Sequence, residues 1–233
     1  MPKQAHPMKT EGNHTQRPSK EGKAGKVSLA VVRRLPRYYR YLHELWQKGV
    51  ERVSSRQLAG QLSLTASQIR QDFNCFGGFG QQGYGYNVKS LMDNMADIIG
   101  IDKGYRGILI GVGNLGRALC NNFDFAAAGI QLDALFESAP VLIGQTIGRW
   151  PVRPVEQLED YVRVHRTDVA VLTLSGGGVS AVVTQLVELG VKGFWNFSNV
   201  DLPLAHPDVK VENVHLSDSL MTLCYQVGEE GAS

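Results

Sequence analysis

The segment that most constrains this chain is Gly111-Val112-Gly113-Asn114-Leu115-Gly116, because of what flanks it. Residues 107–110 form a short apolar run that reads as a buried strand, and 117–123 can continue as a helix. Between strand and helix, a G-x-G-x-x-G pattern has a mechanical meaning. The first glycine makes the tight turn, the second lets backbone approach a pyrophosphate, and the third lets helix and strand pack closely. The helix N-terminus supplies oriented N–H groups and partial positive charge. In this context the pattern predicts a doubly wound parallel sheet, Rossmann-like, with a dinucleotide at its carboxyl edge.

Such a site needs an acid about 20 residues further on to take the ribose hydroxyls. Two residues qualify. Asp133 lies 22 residues after Gly111, inside the next apolar run; Glu137 lies 26 after, at the end of that run. End-of-strand placement favours Glu137, and an acid there would repel a 2′-phosphate, so NAD(H) is expected over NADP(H). Further strands are expected at about 130–136, 168–174 and 191–197, with helices at 114–123 and 178–189; the last two strands are near-continuously apolar, as buried parallel strands are. Asn196 follows the last run, near the carboxyl ends where ligands bind in such sheets.

Hydride chemistry requires a general acid or base beside the nicotinamide. Residues 107–215 are used up by the nucleotide fold, there is no Tyr-x-x-x-Lys, and His165, His206 and His215 stand in no recognisable acid–base pairing. No catalytic residue is assigned, and the nucleotide reads as a signal. A small NAD-dependent oxidoreductase with an accessory basic domain is the alternative. A DNA-binding protein with a purely structural nucleotide is a third reading.

The charge is divided unevenly. Residues 1–86 carry a net charge of +9 and residues 87–233 carry −7, and the first value is still +6 when counted from Lys26. A basic module that meets a polyanion is thereby joined to an acidic one. Residues 1–25 are polar and poor in large apolar side chains, so disorder is expected there, and they lack the apolar stretch of a secretory signal. Leu29, Val32 and Leu35 then keep helical spacing up to Pro36, which starts a second run with the stripe Tyr38, Tyr39, Leu42, Leu45 and Trp46. Arg33, Arg34, Arg37 and Arg40 lie on this segment, as a solvated face or as phosphate contacts.

Ser54 and Gln57 have capping-box spacing, and Thr65 and Gln68 repeat it after a break at Ser63-Leu64. Ile69, Phe73 and Phe76 form the buried side of the second short helix. Two short helices in this relation make a helix-turn-helix, with Ser67, Gln68, Arg70 and Gln71 facing outward toward base edges. The glycine-aromatic stretch 77–86 suits a β-hairpin directly after the recognition helix, so the unit reads as a winged helix. Leu91, Met95, Ile98 and Ile99 make a connecting helix.

Cys75, Cys120 and Cys224 are odd in number and in no metal-ligand spacing, which reads as reduced core thiols of a cytoplasmic protein with no zinc site. No apolar stretch approaches the roughly 20 residues needed to span a bilayer. Leu216, Leu220, Leu223, Cys224 and Val227 keep one face of a last helix apolar, to pack on its own domain or on another subunit.

Several motifs together resemble one family. They are Arg33-Arg34-Leu35-Pro36-x-Tyr38-Tyr39-Arg40, Val53-Ser54-Ser55, Gln68-Ile69-Arg70-Gln71-Asp72-Phe73, the Phe-Gly-x-Phe-Gly-x-x-Gly-x-Gly-Tyr block at 76–86, the glycine turn, Gly190-Val191-Lys192-Gly193-x-Trp195-Asn196-Phe197 and Glu212-Asn213-Val214-His215-Leu216. These resemble the redox-sensing transcriptional repressor Rex, over about 28–227. The resemblance implies a homodimer with an N-terminal winged helix, a Rossmann domain and a domain-swapped C-terminal helix. It also implies repression of fermentation and respiration genes at palindromic operator DNA, with NADH causing release and NAD+ opposing NADH. The implied division is a tail at 1–25, the DNA-binding domain at 26–88, a connecting helix at 89–103, the NAD(H) domain at 104–215 and the swapped helix and tail at 216–233.

On that basis Gly111, Val112, Gly113, Asn114, Leu115 and Gly116 hold the pyrophosphate and Glu137 the adenosine ribose, with Leu174, Ser175 and Asn196 completing the cofactor site. The operator contacts are Arg33, Arg34, Ser55, Arg56, Thr65, Ser67, Gln68, Arg70 and Gln71, with Gly83, Tyr84 and Tyr86 in the wing. Glu137 stands where Asp is commoner in the family. Leu174-Ser175-Gly176 replaces a Val-Pro-x stretch; Asn122 stands where many members carry a Tyr and His215 where some carry an Asp, both in a network that, with an Arg resembling Arg34, links cofactor state to the DNA-binding half.

Overall fold

A computed structural model describes residues 27–77, 79, 84–174, 177–202 and 207–230. The expectations for 1–25, Gly83, Ser175, His206 and most of the glycine-aromatic stretch fall outside these residues. The chain divides into two compact units, Met1–Met92 and Asp93–Ser233.

In the first unit, α1 (Leu29–Val32) and α2 (Leu35–Gln47) are separated where Pro36 enters the first turn of α2 and removes an N–H that needs no partner there. Strand β1 (Arg52–Val53) leads into α3 (Ser55–Leu62) and α4 (Ala66–Asn74). Ser63 closes α3 in the left-handed region at φ 53°, the one non-glycine residue with positive φ among those described. The capping box at Ser54 and Gln57 is complete. Thr65 caps α4 through the Gln68 N–H, but the Gln68 side chain does not return to Thr65; it bonds Asp72. Phe73 packs edge-on against Tyr38 of α2 at 5.2 Å and Tyr86 at 5.1 Å. Strand β2 (Tyr86–Asn87) pairs antiparallel with β1. Helix α5 (Val88–Ile99) follows.

The second unit holds β3 (Tyr105–Ile110), α6 (Asn114–Asn122), β4 (Ile130–Glu137), β5 (Thr146–Ile147), β6 (Trp150–Pro154), α7 (Leu158–Val164), β7 (Val169–Leu172), α8 (Val179–Glu188), β8 (Gly193–Asn196), β9 (Lys210–Asn213) and α9 (Leu216–Glu230). The sheet order is β5-β6-β4-β3-β7-β8-β9, parallel except for β5. Alternation along the strands builds two cores. Ile108, Ile110 and Phe136 meet α7 and α8 on one face, whereas Leu109, Leu135 and Val171 meet α6 on the other. Because β4 and β7 flank β3 on opposite sides, the loop after β3 sits where the strand order reverses, the place such sheets bind ligands.

Several local expectations change. The strand expected at 168–174 ends at Leu172; Thr173 still donates its N–H to the Ile110 carbonyl of β3, and its hydroxyl donates to the Gly111 carbonyl at 2.5 Å. Strand β6 escaped the sequence pattern because it carries Pro151 and Pro154, residues that argue against a strand. Cys75 and Cys224 are exposed; only Cys120 is a core thiol, and burial pushes its pKa up to about 11. Helix α9 does not bury its apolar face on its own domain: Leu216, Leu220, Leu223 and Val227 are between 53% and 64% exposed. No helix among the described residues is long and apolar enough to cross a membrane.

Candidate functional site

The three glycines of the turn do different work. Gly111 has φ 95°, and a Cβ there would meet the Thr173 carbonyl at 2.8 Å. A Cβ at Gly116 would run into the Gly111 carbonyl, so this glycine sets how closely α6 lies on the strand. Gly113 differs. Nothing lies within 4 Å of where its Cβ would be, so the protein itself leaves that space open. Gly113 is also the N-cap of α6 and offers no side-chain acceptor, whereas Ser54 and Thr65 cap α3 and α4. The first helical bond of α6 runs from the Arg117 N–H to the Gly113 carbonyl. The N–H groups of Asn114, Leu115 and Gly116 precede that bond, at the positive end of the helix dipole. Open space over backbone donors is the environment a pyrophosphate requires.

Of the two acids, Asp133 is occupied elsewhere. It is the extra residue of a bulge in β4 and accepts from Arg106 Nε at 2.6 Å. Glu137 ends β4 beside the turn. Its Oε2 accepts the Val112 N–H at 2.6 Å; its Oε1 accepts the Ser138 and Ala139 N–H groups at 2.7 and 3.0 Å and the Ser138 hydroxyl at 3.2 Å. Burial raises the Glu137 pKa, but these hydrogen bonds outweigh it and hold the carboxyl below its usual value. Leu174 packs against the core face of α7 and α8. The fully buried amide of Asn196 donates to the Val200 carbonyl and Asn213 Oδ1 and accepts from Ser198, so it braces the loop after β8.

In the N-terminal unit, Ser67, Arg70 and Gln71 lie on the exposed side of α4. Arg70 donates to Ser55 Oγ at 3.2 Å, and with Ser54, Arg56 and Ala66 these residues line a surface hollow between α3 and α4. Arg33, Arg56, Thr65 and Tyr84 are exposed, and Tyr86 is half-buried against Phe73. Two residues expected to face outward do not. Gln68 is half-buried and donates to Asp72 Oδ1 at 2.8 Å. Arg34 grips Asp72 with Nε at 2.6 Å and a second nitrogen at 2.8 Å, and the Tyr38 hydroxyl donates to the same carboxylate at 2.6 Å. Asp72 has no functional assignment in the sequence reading; its i, i+4 spacing from Gln68 was the available clue. Burial raises the Asp72 pKa, and the bonds from Arg34, Tyr38 and Gln68 outweigh it to leave a net lowering. His215 has its own partner in the second unit, Asp201 Oδ1 at 2.8 Å. The exposed Asn122 amide donates to the Ala118 carbonyl.

Residues 26–74 match the family model described as "Putative DNA-binding protein N-terminus", and residues 102–200 match "CoA binding domain". A redox-sensing transcriptional repressor Rex from Thermoanaerobacter pseudethanolicus is 48% identical over 208 residues, covering 89% of this chain and 92% of the relative. The crystal structure of RSP in complex with beta-NAD+ and operator DNA is 47% identical with a TM-score of 0.83, covering 89% of this chain and 95% of that one. The structure of RSP in complex with beta-NADH is 44% identical with a TM-score of 0.81, covering 89% and 97%.

Proposed function

The chain belongs to the Rex family of redox-sensing transcriptional repressors, and from that premise we propose that it represses transcription as a homodimer on operator DNA and is released by NADH. The observation that carries the reading is the space left open at Gly113 over the uncapped end of α6, in a unit separate from the basic helix-turn-helix. Gly111 to Gly116 hold the pyrophosphate through backbone N–H groups, and Glu137 meets the adenosine ribose. A bound dinucleotide supplies its anionic pyrophosphate for recognition and the oxidation state of its nicotinamide as the signal; this protein is a regulator and not an enzyme. Ser55, Arg56, Ser67, Arg70 and Gln71 face the operator, with Thr65 and Arg33 at the phosphates and Tyr84 and Tyr86 in the wing. Gln68 and Arg34 serve the recognition helix indirectly, through Asp72.

NADH acts only if it binds the DNA-incompetent arrangement better than the competent one. By linkage, DNA then weakens NADH by the same factor. The apolar stripe of α9 is covered by a second copy, in a domain-swapped dimer that reads a palindromic operator. Burying such side chains contributes about 1.5–3 kcal/mol each. The targets are fermentation and respiration genes, and the location is the cytoplasm, where DNA and the NADH pool meet. The test is a mobility-shift titration on a palindromic operator. Release by micromolar NADH, opposed by NAD+, supports the reading; DNA binding indifferent to either nucleotide, or turnover of NADH with a carbonyl substrate, sinks it.

A further inference from the structure

The carboxylate of Glu137 is already largely committed before any ligand arrives. A carboxylate has two oxygens and about four acceptor positions. Oε1 takes three donors, the Ser138 N–H, the Ala139 N–H and the Ser138 hydroxyl. Oε2 takes one, the N–H of Val112, the residue between the first two glycines of the turn. Val112 is itself fully buried, so its N–H is fixed from both sides, by packing and by this bond. We propose that Glu137 is a positioning residue that clamps the glycine turn at Val112, and that it reaches a bound adenosine ribose through Oε2 alone. This rests on the dinucleotide reading of the turn.

Two consequences follow from the geometry. The clamp needs the length of glutamate. An aspartate, shorter by one carbon–carbon bond of about 1.5 Å, stays with the three donors of the adjacent residues 138–139 and no longer reaches the Val112 amide. Glutamine keeps the length, but its one oxygen goes to the three donors from 138–139, which turns its NH2 against the Val112 N–H. The second consequence concerns the ligand: with Oε1 filled, only one of the two adenosine ribose hydroxyls finds an acceptor on Glu137.

The experiment has two arms. In the first, amide hydrogen exchange is followed at Val112 in the nucleotide-free wild type, Glu137→Asp and Glu137→Gln, with circular dichroism to confirm folding. Val112 exchange is expected to speed up about tenfold or more in both variants, the loss of one charge-assisted bond. Unchanged protection in Glu137→Asp, the variant that keeps the charge, would overturn the clamp. In the second arm, wild-type protein is titrated with NADH and with NAD+ bearing a 2′-deoxy or a 3′-deoxy adenosine ribose. One deoxy form is expected to bind about tenfold more weakly than NAD+ and the other within about twofold. Equal losses for both forms overturn the single-oxygen contact. Absence of NADH binding altogether defeats the nucleotide reading instead, while the first arm still decides the clamp.

Discussion

Asp72 and Glu137 are both carboxylates buried within their units, 1% and 9% exposed, and both are held ionised against the pull of burial. Their donors differ in kind. Asp72 is held by side chains: from a distance Arg34, the N-cap of α2, and Tyr38 of α2, and from one turn earlier in its own helix Gln68. Glu137 is held mainly by backbone N–H groups of Val112, Ser138 and Ala139. A backbone amide is present whatever the residue, so the second arrangement asks of the sequence little more than an acid at a strand end. The first asks for three specific side chains to converge. The N-terminal unit is therefore the one that a single substitution should unfold, and the nucleotide turn the one that should lose binding while staying folded.

The widest separation is expected from Asp72→Ala. It leaves the Arg34 guanidinium half-buried without its partner, which costs about 3–5 kcal/mol for a buried pair, and urea unfolding of the N-terminal unit reports it. NADH affinity should be nearly unchanged; a parallel loss would show that the two units are not organised independently. The same contrast has an acid limb. Both carboxyls are held below their ordinary values, so each contributes stability above the ordinary carboxylate pKa of about 4. That stability is lost as pH falls through the lower folded-state value. Urea midpoints should be flat from about pH 5 to pH 8 and decline below about pH 4. A decline centred near neutrality would contradict the assignment.

Next come the glycines. Gly116→Ala forces a methyl onto the Gly111 carbonyl and should destabilise the second unit by about 1–3 kcal/mol, read in thermal melts. Gly113→Ala has room for its methyl and no positive φ, so its melt should match the wild type. Its NADH affinity should nevertheless drop about tenfold or more, since the methyl takes the space we propose for the pyrophosphate. Normal affinity in Gly113→Ala would remove the turn from the nucleotide site.

Arg70→Ala should weaken operator binding by about 1–3 kcal/mol with NADH affinity intact, measured by fluorescence anisotropy on labelled duplex. Equal loss of both would place Arg70 outside the DNA face. The smallest effect is expected from Ser54→Ala, which removes one side of the capping box of α3 and should cost about 1 kcal/mol in the N-terminal unit alone.

Much of this was legible in local pattern. The glycine spacing, the apolar runs around it, the capping residues of α3 and α4 and the charge asymmetry are all properties of neighbouring residues, so they survive being read in a line. That Glu137 ends its strand while Asp133 lies inside it was also readable, because strand ends are local. The roles of Arg34 and Gln68 were not. Arg34 reads in sequence as part of a solvated or phosphate-contacting arginine face and Gln68 as an outward base reader, and the folded chain spends both on Asp72. The hairpin of β5 and β6 stayed hidden behind Pro151 and Pro154, residues that β6 accommodates while pairing with β4 and β5.

The chain order alone thus settled the kind of machine: a basic helix-turn-helix joined to an α/β sheet with a glycine turn after its first strand, carrying the family's motifs at their places. It could not settle where side chains point once distant segments meet. Folding decided that Asp133 sits on a bulge and pairs with Arg106, that Glu137 reaches back to Val112, and that the Thr173 hydroxyl braces the Gly111 carbonyl. The cause is the range of the forces involved. Helix spacing, caps and turns act within a few residues, whereas a buried charge must collect its donors wherever the fold brings them, 38 residues away for Arg34 and Asp72 and 25 for Val112 and Glu137.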